Sequence, residues 1–142
     1  MVLALGSTIH DTGITKLTLG RFIMFNTIYI LLALLFIKHW YIDFVNQSDA
    51  EVKGKGSYGN LVGLGHSIKH GMATTVILLF FVYYPFDAIV LGIIDFFFHY
   101  HIDWIKMRFG NRDITTKAFW AQLGLDQLAH ALCYLMLVML IF

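Results

Sequence analysis

Four sets of residues in this 142-residue chain stand four positions apart and carry side chains that could work together. They are His39–Asp43, with Gln47 four further on; His66–His70; Asp95–His99–Asp103; and Asp126–His130. Residues four apart on a helix share one face, one above the other. Each of four helices can therefore offer two nitrogen or oxygen ligands to a common centre, as bundles with metal cores do. Imidazole nitrogen and carboxylate oxygen without thiolate suit a divalent metal, zinc first, with manganese or iron also compatible. The single cysteine, Cys133, lies in an apolar run, which excludes a cysteine-based zinc site or disulfide framework within one chain. The predicted ligands are His39, Asp43, His66, His70, His99, Asp103, Asp126 and His130, enough for two metals. Such a metal would lower the pKa of bound water and clamp a phosphoryl or carbonyl oxygen. Asp43 and Asp103 are also the candidates for general base, and Lys106, close to the face of Asp95, His99 and Asp103, for binding an anionic substrate.

Each set also has a structural reading. His39 beside Trp40 and Tyr41 suits a membrane interface, His66–His70 a helix start, and His101, off the repeating face, an interface again. Asp126–His130 bonding to Asp103–His99 would make a purely structural network. Asp95, Asp126 and His130 are harder to explain this way. An aspartate inside a span costs roughly 2.5–3.5 kcal/mol on insertion scales, so such groups face partners and serve function. The zincin motif HExxH is absent, as is a serine or cysteine nucleophile with a base at useful spacing.

The elements that must position these residues are membrane helices. Apolar residues make up 58% of the chain and charged ones 13%, with a mean hydropathy of +0.71. A soluble domain runs nearer 45–50% and about 25%, and a small one cannot hide this much apolar surface. A net charge of +1 leaves no basic stripe for nucleic acid. The pattern predicts an all-α polytopic protein of about four transmembrane helices. The first centres on Phe22 to Ile37 and extends from Leu17 to Trp40; Gly71 to Phe86 is uncharged; Phe86 to Ile105 and Ala118 to Phe142 complete the set. Tyr83, Tyr84 and Pro85 mark a turn at an interface. The uncharged run before Pro85 is short enough for a re-entrant hairpin instead. Residues 1–21 form an amino-terminal extension, and 22–142 a single domain with a polar loop at 43–69. Gly54-Lys55-Gly56-Ser57 lacks Walker spacing and reads as flexible loop. The first fifteen residues show no basic leader of a cleavable signal.

Lysines and arginines set the orientation. Lys38, Lys53, Lys55 and Lys69 flank one long loop, and Lys106, Arg108, Arg112 and Lys117 the other. The positive-inside rule places both loops in the cytoplasm and both termini outside, against the opposing Lys16 and Arg21. His39–Asp43, His66–His70 and His99–Asp103 then fall in one layer near the cytoplasmic face. Asp126 and His130 lie two to three turns into the last helix, roughly 12–18 Å along its axis, and join that layer if the helix protrudes before entering lipid.

The segments KHWYIDFVNQ (38–47), LGHSIKHG (64–71), HYHIDWIK (99–106) and LDQLAH (125–130) resemble, in order and spacing, successive blocks of the domain-of-unknown-function 3307 family. Those are small integral membrane proteins of bacteria and phages, and the resemblance covers about residues 30 to 142. It implies an inner-membrane location and marks His39, Asp43, Gln47, His66, His70, His99, Asp103, Lys106, Asp126, Gln127 and His130 as the family's characteristic polar positions. In style alone, the paired ligands are similar to helical zinc phosphoesterases of the phospholipase C type. The expected function is a membrane-embedded metal-dependent hydrolase acting on phosphoester or phospholipid substrates, with membrane lipids around it and a homo-oligomer open. The alternatives are a proton or metal-ion transporter, and a non-enzymatic phage or bacterial protein that excludes superinfection or binds a host membrane complex.

Overall fold

The computed structural model describes residues 13–142. The residues it describes are helical with no strand: α1 (Gly13–Trp40) continues into a π turn (Tyr41–Val45), followed by α2 (Asp49–Lys55), α3 (Leu61–Leu78), α4 (Pro85–Phe109) and α5 (Lys117–Met139). The four long helices are the expected ones. The extension 1–21 does not end where expected, because α1 is already helical from Gly13. The reading of the first residues as lacking a leader falls mostly on 1–12, outside the described residues.

The polar stretch 43–69 departs most from expectation. It is not a flexible loop, because local signals fold it. Ser48 caps α2 and receives Glu51 in return, a reciprocal capping box. Asn60 accepts from the amides of Val62 and Gly63 and starts α3 ten residues before Gly71. The turn between these helices uses Gly59, at φ 77°, and is pinned where the Gly59 amide donates to the Tyr100 hydroxyl at 2.6 Å. Gly54 and Gly63 then let the two backbones touch: a Cβ on Gly63 would lie 2.9 Å from the Gly54 carbonyl oxygen. Gly54-Lys55-Gly56-Ser57 is the end of this packed helix. Pro85 occupies the first turn of α4, as the Tyr83-Tyr84-Pro85 turn predicted.

α3 and α4 cross at Gly71 and Gly92. A Cβ on Gly92 would stand 2.7 Å from the Gly71 carbonyl oxygen and collide with Thr75 Oγ1. Small residues at such crossings let helices approach backbone to backbone. Gly92→Ala is expected to lower stability by about 1–3 kcal/mol, the usual cost of overpacking, measured by thermal unfolding in detergent. Gly65→Ala on α3, where a Cβ meets nothing within 4 Å, is the control and should be neutral or stabilising.

Beside an apolar core, the bundle buries a polar layer and leaves many large apolar side chains outside. The side chains of His66, His70 and His99 are 0% exposed, whereas Phe22, Ile37, Met72, Phe97 and Leu132 face outward. Along α3, Ile68, Met72 and Val76 form an outward apolar stripe opposite His66, His70 and Thr74. Along α5, Leu125, Leu128, Leu132 and Met139 lie opposite Asp126, His130 and Tyr134. Among the described residues, two segments, Lys16–Val45 and Pro85–Phe109, are long and apolar enough to cross a membrane. His66, His70 and Thr74 of α3 and Asp126 and His130 of α5 point inward, whereas Lys117 and Gln122 are exposed and Lys69 partly so.

Candidate metal centre

The bundle interior is layered along its axis. At the end formed by the α2 and α4–α5 loops lies a histidine and aspartate layer. About a turn deeper, Lys38 pairs with Asp95 at 2.9 Å, and Thr74 donates to the same carboxylate at 2.6 Å. Below that, Leu31, Leu35, Leu78, Ala88, Leu91, Leu137 and Val138 close the core. Asp87 is exposed beyond this plug.

Each element contributes to the histidine and aspartate layer. The π turn after α1 gives a backbone bond from the Asn46 amide to the Tyr41 carbonyl at 2.9 Å, and it re-aims Asp43 into the bundle. Asp43 Oδ1 then lies 2.8 Å from His66 Nε2, 3.3 Å from His70 Nε2 and 3.7 Å from His99 Nε2. From α4, Asp103 Oδ2 lies 3.2 Å from His99 Nε2, and its Oδ1 3.7 Å from His130 Nε2 on α5. The rings of His70 and His99 stack at 3.5 Å between centroids.

Three overlapping groups have ligand atoms that all lie within 4.8 Å of one another: Asp43, His66, His70 and His99; Asp43, His99, Asp103 and His130; and His39, His99 and His130. Around a tetrahedral zinc ion, with ligands about 2.0–2.2 Å away, such atoms stand roughly 3.3–3.6 Å apart. The widest pairs in these groups would therefore draw together by up to about 1–1.5 Å on binding. Several of these atoms are also unsatisfied. Buried and without a hydrogen-bond partner are His66 Nδ1, His70 Nε2, both ring nitrogens of His99 and His130 Nε2. The Nε2 atoms of His70 and His99 sit at ion-pair distances from carboxylates but are not aligned to donate to them. Buried polar groups are paired in the great majority of cases, and a cluster of exceptions signals a missing ion or water.

Charge points the same way. Asp43 and Asp103 face one ammonium, that of Lys55, at 3.3 and 2.9 Å. Lys38–Asp95, Lys106–Asp126 and Lys69–Glu51 are separate pairs. With neutral imidazoles, the layer keeps one uncompensated negative charge, which a bound cation or one protonated imidazole would balance.

Not every predicted residue sits at the centre. His39 is near it, but both its ring nitrogens are engaged: Nδ1 with the Tyr134 hydroxyl at 3.1 Å, and Nε2 with Gln127 Oε1 at 3.1 Å and Asp43 Oδ2 at 3.2 Å. This is the arrangement of a residue that orients a carboxylate ligand. Asp126 belongs to none of the three groups; its Oδ2 takes Lys106 at 3.1 Å and Gln127 at 3.0 Å. Lys106 does not share the centre with Asp103 but turns toward Asp126 at the bundle edge. Asp95 does not extend the His99–Asp103 set, because it is held by Lys38. His101 is partly exposed against Tyr58 and the Phe97 carbonyl, away from the centre.

The residues that the spacing did not single out are Lys55, Glu51, Lys38 and Tyr134. Lys55 is buried, brought in at the end of α2. Glu51 stands 3.7 Å from His66 Nδ1, on the outer side of that ring. Burial works to raise its carboxyl, but Lys69 at 2.6 Å and hydrogen bonds from Ser48 outweigh that and hold it at about 2. The Ser48-x-x-Glu51 box was the signal that would have found α2 and, with it, Lys55.

No curated protein and no solved structure matches the chain. The model of one protein family matches residues 31–142, which contain every residue of the buried layer, and the chain therefore belongs to the family described as Protein of unknown function (DUF3307).

Proposed function

We propose that the chain is a membrane-embedded metal-dependent hydrolase of phosphoester bonds, its centre at the polar end of a four-helix transmembrane bundle. The observation that carries this reading is the convergence of Asp43, His66, His70, His99, Asp103 and His130, with buried ring nitrogens left unpaired. The outward apolar stripes of α3 and α5 support four spans rather than two, since past Lys69 and Gln122 the large exposed residues of these helices are apolar. The positive loops favour a cytoplasmic site, in the inner membrane of a bacterium, whether encoded by the host or by a phage.

The metal would be zinc, or manganese or iron, and would supply an activated water and a clamp for the phosphoryl oxygen. His66, His70, His99 and His130 would hold it together with Asp43 and Asp103. Whichever of these two carboxylates is left free would take the proton of the attacking water. His39 and Tyr134 would fix Asp43, and Lys106 would meet the anionic substrate.

Ion conduction is less well supported, because a conducting path needs polar groups through to the other face. Here the polar track ends at Lys38 and Asp95 above an apolar plug, leaving Asp87 isolated beyond it. A purely structural network, as a non-enzymatic membrane protein would use, should be satisfied, since half-satisfied polar cores are worse than apolar ones.

The test is metal analysis of the detergent-purified full chain with a phosphoester hydrolysis assay. At least one tightly held metal per chain and hydrolysis lost on chelation are expected. A folded protein that takes up no zinc, manganese or iron would sink the proposal.

A further inference from the structure

We infer that the groove between α4 and α5 is a lateral binding site for a phospholipid whose headgroup carries a hydrogen-bond donor. This rests on the proposed hydrolase only in making that lipid its substrate; the binding itself stands separately. The groove encloses about 320 Å³ and is walled by Ile102, Ile105, Phe109, Leu125 and Ala129, with Lys106 and Asp126 as its charged residues. That size is at the lower end of ligand pockets, about 300–1,000 Å³, and it opens on the flank of the bundle where lipid would lie.

Three features select the occupant. The apolar walls suit one acyl chain. The end of the groove at Gly110 and Gln122 adjoins the α4–α5 loop region, where, with Lys106 paired to Asp126, Arg108, Arg112 and Lys117 stand against Asp113, a local excess of positive charge suited to a phosphate. The third feature is Asp126. Its Oδ2 accepts from Lys106 and Gln127, but its Oδ1 is buried with no hydrogen-bond partner. The side chain is 3% exposed and lines the groove. The Oδ1 atom is closed off on the His130 side, so a headgroup donor would meet the Asp126 carboxylate by entering beside Lys106. An ethanolamine ammonium or a glycerol hydroxyl supplies one beside the phosphate; a choline headgroup does not. The site is also continuous with the metal centre, because Asp126 Oδ1 stands 3.8 Å from His130 Nε2.

The experiment uses the full chain in phosphatidylcholine vesicles containing a small fraction of phosphatidylethanolamine with a photoreactive group in one acyl chain, and the labelled peptides are mapped by mass spectrometry. Label is expected on the 102–109 and 125–129 stretches above the level on the outward faces of α1 and α3. Unlabelled phosphatidylethanolamine or phosphatidylglycerol should compete, and further phosphatidylcholine should not. Ala129→Trp, or Ile105→Trp on the facing wall should the first not fold, is expected to cut the groove labelling about tenfold, as overpacking a filled groove does, with metal content unchanged. Even labelling of all outward faces, unmoved by either tryptophan, would overturn the groove. Competition by phosphatidylcholine as strong as by the other two lipids would overturn the headgroup assignment. Groove labelling in a protein that holds no metal would support this site while removing the hydrolase reading.

Discussion

Replacing His99 by glutamine is expected to abolish metal binding, with a loss of affinity beyond about 100-fold, the upper end of what outer-shell substitutions cost. His99 is the one residue common to all three candidate groups, so its loss takes a ligand from each and leaves no group with more than three. It is fully buried, both its ring nitrogens lack hydrogen-bond partners, and it lies between Asp43 at 3.7 Å and Asp103 at 3.2 Å. Glutamine keeps polarity and most of the length, which limits the cavity left behind. Metal content after dialysis and competition with a graded chelator measure the effect. His101→Gln is the matched control: it lies two residues along the same helix, bonded to Tyr58 and the Phe97 carbonyl, and should retain full metal content. The thermal shift produced by added zinc should likewise vanish in His99→Gln and persist in His101→Gln, since a ligand stabilises only a fold that binds it. Full stoichiometric metal in His99→Gln would show that the three groups do not form one centre.

Much of this centre is legible along the chain because the helix repeat is rigid. His66 and His70, or His99 and Asp103, fall on one face whatever the surroundings, and four such faces in one polar layer must meet. The long helices follow from the same regularity, since apolar runs bounded by Pro85 or by charged loops leave few alternatives. What was not legible depends on pairing over distance. Lys38 counted only as a loop charge, yet its partner Asp95 lies 57 residues away. Asp126 looked like a ligand because its spacing to His130 matches the other sets; Lys106 claims it instead. The π turn that aims Asp43 has no spacing signature, and the shift it makes is what brings Asp43 Oδ1 within reach of three histidines. α2 is a different case. Its capping box is written in Ser48 and Glu51, but the glycines around Lys55 read as slack, although Gly54 is there so that α2 can lie against Gly63.

Lys55→Met is expected to move metal affinity and catalysis in opposite directions. The Lys55 ammonium bridges Asp43 and Asp103, two of the candidate ligands, and its side chain is 6% exposed. If the ammonium stays when a cation enters, it repels it; if it leaves, its ion pairs are lost to make room. Either way lysine opposes the metal, so its removal should tighten zinc binding. Unit charges 4 Å apart interact by about 4 kcal/mol at an effective dielectric of 20, so a gain of at least about tenfold, or 1.4 kcal/mol, is a conservative expectation. Without metal the same variant leaves two buried carboxylates with imidazole partners but no ammonium between them. Breaking a buried pair by removing one partner costs about 3–5 kcal/mol, so metal-free Lys55→Met should melt well below the parent chain and recover when zinc is added. Hydrolysis should fall nonetheless, because a displaced Lys55 is a second cation besides Lys106, and nearer the carboxylates, to meet a phosphoryl oxygen. A purely structural lysine would give the melting loss with no rise in zinc affinity. A lysine irrelevant to substrate would give tighter zinc with hydrolysis intact. Only tighter zinc, zinc-dependent folding and slower hydrolysis together identify Lys55 as the cation that holds the two carboxylates in place until the metal arrives.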